Sequence, residues 1–134
     1  MILGLSTTGA VSELWLYSSI DQAMRKPLCH VEWESGRRLA DGLLGRIAEL
    51  LKSQDRVIND LTGIVILSGP GSFTSLRIGH TVANVLAESL LIPIVGGLGD
   101  DWLKEGLSRL SKATAGEPVW PFYGAEANVT RPKA

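Results

Sequence analysis

The sequence predicts an α/β domain built on a mixed sheet, with its elements in the order βββαβαβ. Three observations carry that expectation. The first third of the chain holds three short apolar or alternating segments separated by turn residues, which is a strand pattern. Two later stretches repeat apolar residues at helical spacing. Around the second of them stand two short apolar runs, Ile64–Leu67 and Pro93–Gly96, and a helical crossover between such runs favours parallel pairing.

Taken in order, Met1–Leu5 is a short apolar run closed by Ser6-Thr-Thr-Gly9, as expected of a buried central strand. Ser12–Ser18 and Pro27–Glu34 alternate polar and apolar side chains and read as half-buried strands that complete an antiparallel meander. From Arg37 to Gln54, behind Gly36, the residues Leu39, Leu43, Leu44, Ile47, Leu50 and Leu51 recur at helical spacing and define helix one. Ile64–Leu67 runs into SGPGSFTSLRIG (68–79), and helix two follows from Ser72 to Leu91. After Pro93–Gly96, Asp100 is placed to cap a third helix reaching Lys112, with Leu103, Leu107 and Leu110 on one face. Val119–Tyr123 reads as a short edge strand because of Pro121, and the tail from Gly124 to Ala134 as polar and partly irregular.

A chain of 134 residues fits one compact domain, and 45% apolar with 20% charged side chains excludes the disordered class. Thirteen basic against fourteen acidic residues leave a formal charge of −1, so no global field draws in nucleic acid or an anionic membrane. Any connection to RNA is therefore expected through a partner. The single Cys29 cannot make an internal disulfide, and the N-terminus lacks a basic, cleavable leader, which points to a cytoplasmic protein. The longest apolar run, ESLLIPIVGG, contains Pro93 and is far short of the roughly 20 residues a bilayer requires.

The stretch Gly69, Pro70, Gly71, Ser72, Phe73, Thr74 has two readings. As structure, the glycines allow a sharp strand-to-helix turn, Pro70 stiffens it, and Ser72 or Thr74 caps the helix. As chemistry, a helix N-terminus attracts anions. The Walker pattern and G-x-G-x-x-G are both absent, so the turn reading is preferred locally. Phe73 reads as a staple into the core, and Arg77 either as a solvated cation or as the partner of a carboxylate.

No other constellation builds an active site. Ser6-Thr-Thr-Gly9 lies where a kinase or ATPase of the actin-like class holds phosphate and metal, but that chemistry wants a carboxylate and the position is Ser6. His30 and His80 have no i,i+4 partner, so no metal is expected. Cys29 and His30 are adjacent in a strand and face opposite sides, which leaves Cys29 a buried structural residue. Asp100 and Asp101 are explained by capping.

Both helices carry a second apolar face. Leu44, Ile47 and Leu51 make one stripe of helix one, and Leu39, Leu43 and Leu50 an adjoining one. Gly42 and Gly45 are tolerable in a helix where another helix must come close. Helix two bears Ile78, Val82, Val85, Leu86 and Leu90 around more than half its circumference. Periodicity alone leaves two explanations open: mutual packing of the helices, or a partner surface.

The run ILGLSTT (2–8), the arginine-bearing RRLADGLL (37–44), GPGSFTSLRIG (69–79) and IPIVG (92–96) together resemble the TsaB/YeaZ family, over residues 1–97. The GPGSFT-x-LRIG stretch is the specific part. The resemblance implies an RNase H-like lobe of the actin/Hsp70 type, belonging to the machinery that makes N6-threonylcarbamoyladenosine at position 37 of tRNA. It implies a non-catalytic scaffold, without cofactor or metal, that binds and stabilises the related transferase TsaD through its two helices. On this chain those positions are Arg38, Leu39, Gly42, Leu43, Arg46 and Leu50 of helix one, and Arg77, Ile78, Thr81, Val82 and Val85 of helix two. A TsaE-like ATPase is an expected further partner, a homodimer through the same helices an expected resting state, and contact with tRNA indirect. Ser6 replaces the family's usual aspartate, and Leu39 replaces a histidine that many relatives and the metal-binding TsaD carry. Residues 98–134 are expected to stand in for a second lobe that looks deleted. The rival expectation is a small phosphate-binding ATPase or sugar-kinase-like lobe, with Ser72 and Thr74 around the anion.

Overall fold

The computed structural model describes residues 1–19 and 26–124. Its strands are β1 (Ile2–Ser6), β2 (Ser12–Tyr17), β3 (Cys29–Trp33), β4 (Gly63–Gly69) and β5 (Ile94–Leu98). Its α-helices are α1 (Leu39–Lys52), α2 (Phe73–Leu90) and α3 (Trp102–Leu110). The strands form one mixed sheet in the order β3-β2-β1-β4-β5. β1 pairs antiparallel with β2 (Leu3 opposite Leu16) and parallel with β4 (Leu3 beside Ile64). β3 extends the sheet antiparallel to β2, and β5 extends it parallel to β4. The two parallel pairings are those that the crossover helices require.

All five residues of β1 are buried, because helices cover both of its faces. On one face Leu3, Leu5, Leu14, Leu16, Ile64 and Ile66 pack against Leu39, Leu43, Ile47 and Leu51 of α1 and Ala83 and Leu86 of α2. Each such leucine, fully withdrawn from water, contributes about 1.5–3 kcal/mol. On the other face Ile2, Tyr17, Val65 and Val95 pack against Trp102, Leu107 and Leu110 of α3. That helix lies over β4 and β5 and reaches Trp15 and Tyr17 of β2 through Trp102 and its neighbours, leaving the β3 edge of the same side uncovered by it. No helix among the described residues is long and apolar enough to cross a membrane.

Several boundaries differ from expectation. A 3-10 turn, Gly36–Arg38, precedes α1, so the helix proper begins at Leu39. α3 begins at Trp102 rather than after Asp100, and Asp101 at its N-cap makes no side-chain capping bond. β3 is more exposed than half-buried: His30, Val31 and Glu32 are all exposed, because it is the edge strand and α3 does not reach it. Val119–Tyr123 is not a strand; its backbone is held by the Asn84 side chain and the Ser68 carbonyl instead of a ladder. The tail from 125 to 134 lies outside the described residues.

Candidate functional site

The turn between β4 and α2 is held from two sides. The Phe122 N–H donates to the Ser68 carbonyl at 2.8 Å, and the Ser72 N–H to the Thr8 carbonyl at 2.8 Å. Gly69 has φ of +142°, and a side chain there would collide with the Phe122 carbonyl oxygen, so glycine is required twice over. A cis peptide links Gly69 to Pro70. Ser72 is the N-cap: its hydroxyl accepts from the Ser75 N–H at 3.4 Å, while its carbonyl accepts from Leu76. The N–H groups of Ser72, Ser75 and Leu76 thus end on acceptors of the chain itself, as expected of a helix launch.

Phe73 is not a core staple. Its side chain is 57% exposed, with its ring centroid 4.6 Å from that of Tyr123 and 5.3 Å from the Arg77 guanidinium carbon. Leu76, Gly79, His80 and Ala83 take the buried side of α2, which turns Arg77 outward; Phe73 shares their side by phase but is the first residue of the helix, where its ring meets Tyr123 instead of the core.

Among the described residues, groups capable of acid–base chemistry cluster at His30, Glu13 and Glu32, and Cys29 and His80 lie outside that cluster. Burial raises the Cys29 thiol pKa, with a hydrogen bond to Ser53 opposing, so the thiolate is disfavoured. His80 is 2% exposed; its Nδ1 lies 2.8 Å from the Leu76 carbonyl, and burial lowers its pKa, keeping the imidazole neutral. His30 is on the opposite side of the sheet, 3.0 Å from Glu13. At the end of β1, Ser6 and Thr7 are buried and offer hydroxyls, not carboxylates.

What the helices do bring together is a surface. Ala40 of α1 and Thr74, Arg77, Ile78, Thr81 and Val82 of α2 line a shallow groove of ≈ 400 Å³. Val85 and Leu44 lie exposed on the same two helices. The helix-two positions expected at a partner surface are therefore accessible, with Ile78 and Val82 half-buried. Helix one is different. Leu39, Leu43 and Leu50 are buried in the sheet-facing core and cannot meet a partner. Gly42 sits under Trp33, where a Cβ would come 2.8 Å from the indole, so its closeness serves an aromatic ring and not a second helix. Arg46 stands over that same indole at 4.8 Å, and Arg38 lines the cavity beside it. Sequence reasoning did not include Ala40 or Leu44 among the partner-facing positions. Leu43 and Leu44 each fit an apolar stripe, and only the direction of the sheet decides which turns inward.

Comparisons with known proteins bear on this arrangement. Residues 34–96 match the family model of TsaD, tRNA N6-adenosine threonylcarbamoyltransferase. Over 48 residues the chain is 50% identical to the tRNA threonylcarbamoyladenosine biosynthesis protein TsaB of Bacillus subtilis, covering 36% of this chain and 21% of that protein. Over 95 residues it is 28% identical to the TsaB of Escherichia coli, covering 64% of this chain and 41% of the relative. YeaZ from Pseudomonas aeruginosa superposes with a TM-score of 0.60 at 25% identity, over 71% of this chain and 42% of that one. The curated matches and the superposition agree that the chain is similar to the TsaB/YeaZ proteins. A second solved structure, described as similar to the peptidase YeaZ from Pseudomonas aeruginosa, gives a TM-score of 0.61 at 25% identity, over 71% of this chain and 41% of that one. The fold is accordingly the RNase H-like lobe of the TsaB/YeaZ proteins. The chain spans less than half the length of these relatives. Within the segment that matches the TsaD model the only histidine is the buried His80, so α1 offers no imidazole to a metal.

Proposed function

We propose that this chain is a non-catalytic scaffold in tRNA N6-threonylcarbamoyladenosine synthesis, which binds and stabilises a TsaD-like subunit through the exposed face of α1 and α2. The reading rests on one observation: the groove between the helices, apolar at Ile78 and Val82 and cationic at Arg77, flanked by exposed Val85 and Leu44. Such a strip, with an arginine beside aliphatic side chains, is suited to a helix carrying apolar residues and a carboxylate. The motif turn contributes by fixing where α2 starts, and so the direction in which Arg77 and Ile78 point. A TsaE-like ATPase joins the pair in this reading, contact with tRNA is indirect, and the same face lets two copies pair when the partner is absent.

Co-purification of the full chain with its cognate TsaD-like subunit tests the proposal. A complex at micromolar concentration is expected. The double variant Arg77→Glu/Val85→Asp, altered only at exposed positions, weakens it by roughly tenfold or more with an unchanged melting temperature. No complex, or an unweakened one in the variant, refutes the reading. Calorimetry with ATP tests the rival phosphate-binding enzyme, for which binding and hydrolysis by the isolated chain are required.

A further inference from the structure

The side of the sheet opposite α1 and α2 is only partly covered, since α3 lies over β4 and β5. Leu14 and Leu16 of β2 enter the core beneath α1 and α2, so the alternate residues Glu13 and Trp15 project from the other side. The β2–β3 register sets Glu32 opposite Glu13 and His30 opposite Trp15, which places all four on that partly covered face. One ligand atom from each of Glu13, His30 and Glu32 lies within 4.8 Å of the others. The imidazole is held in a defined pose. Its ring stacks on Trp15 with centroids 4.6 Å apart and planes 3° from parallel, and its Nε2 stands 3.0 Å from Glu13 Oε1. Two carboxylates directly opposite on a sheet repel one another, so a cation at this point relieves an unfavourable pairing.

We propose that Glu13, His30 and Glu32 form a binding site for a divalent transition-metal ion, with zinc the best match. An imidazole nitrogen with two carboxylates is a donor set for Zn²⁺ and its neighbours, whereas Mg²⁺ and Ca²⁺ take oxygen alone. Zinc bonds of about 2.0–2.2 Å to N and O separate tetrahedral ligands by roughly 3.3 Å, a spacing these side chains reach by small rotations. Three protein ligands leave a coordination position open to solvent, so the ion is exchangeable. Bound there, it ties the exposed edge strand β3 to β2. Helical i,i+4 spacing does not find this site: Glu13 and His30 are separated by 17 positions and meet only through strand register.

Titration calorimetry of the full chain with zinc chloride tests the site, beside His30→Gln, Glu13→Gln, Glu32→Gln and Cys29→Ser. The first three positions are exposed or half-buried, so these variants keep the fold. One ion per chain is expected, weakened about tenfold or more by each of the first three substitutions and unaffected by Cys29→Ser, whose side chain faces the opposite core. A zinc-dependent shift of the His30 ring-proton resonances is a second readout. Absence of binding, binding unchanged in His30→Gln, or binding lost with Cys29→Ser overturns the proposal. None of these outcomes bears on the α1/α2 face, which lies across the sheet.

Discussion

Replacing Gly79 with alanine tests how the motif positions α2. An ideal Cβ on Gly79 overlaps Thr7 Oγ1 and lies 2.9 Å from both Thr7 Cβ and Cγ2. Rotating Thr7 moves its hydroxyl and methyl but not its Cβ, so the helix itself must shift by tenths of an ångström. Overpacking of this kind costs about 1–3 kcal/mol, and alanine returns about 1 kcal/mol of helix propensity, which leaves a net loss of about 1 kcal/mol. For a chain of this size that lowers the melting temperature by about 3–5 °C. The assay is urea unfolding of wild type, Gly79→Ala, Thr7→Ala and the double variant. Thr7→Ala removes the hydroxyl and methyl, so the pair should couple favourably by at least about 0.5 kcal/mol. If Gly79→Ala instead raises stability by the propensity gain alone, or the two changes simply add, close approach is not what demands glycine here.

Two further outcomes follow from individual side chains. Asn84 donates to the Val119 carbonyl at 2.8 Å and accepts from the Val119 N–H at 2.9 Å. Asn84→Ala is expected to speed amide exchange of Val119, Trp120, Phe122 and Tyr123 by roughly tenfold or more, at a local loss of about 1–3 kcal/mol, while sheet amides keep their protection; unchanged exchange of the segment refutes the clamp. His80 has a pKa below its ordinary value because burial disfavours the imidazolium, with the Leu76 carbonyl opposing. The unfolded chain then binds the extra proton first, so the His80 contribution to stability is intact above the unfolded pKa of about 6.5 and falls as pH drops below it. Calorimetric melting from pH 7.5 downward should show, in wild type, a loss near and below that value that His80→Leu lacks; parallel curves refute it.

Much of the fold was legible because its signals are local. The continuous apolar run of β1, the β-branched Ile64–Leu67 and the turn residues between segments reflect burial that each strand meets whatever its neighbours are. The position of α2 was equally readable, since Gly69 and Ser72 express backbone requirements of the turn itself. The candidate site was legible in part. Arg77, Ile78, Thr81 and Val82 share a helical face by spacing alone, but whether that face meets solvent or sheet is not a property of α2.

On its own, the sequence determined the element order, the helix launch at SGPGSF and the absence of a Walker-type phosphate loop, because each depends on residues close together in the chain. Tertiary structure alone decided which leucines of α1 are core, burying Leu39 and Leu43 and exposing Leu44, since all satisfy helical periodicity and only the sheet's location separates them. It likewise turned Phe73 outward against Tyr123, laid Val119–Tyr123 along α2 as a strap, and set Glu13 and Glu32 face to face beside His30. Those are contacts between residues far apart in the chain, fixed by packing and strand register, which no window of sequence contains.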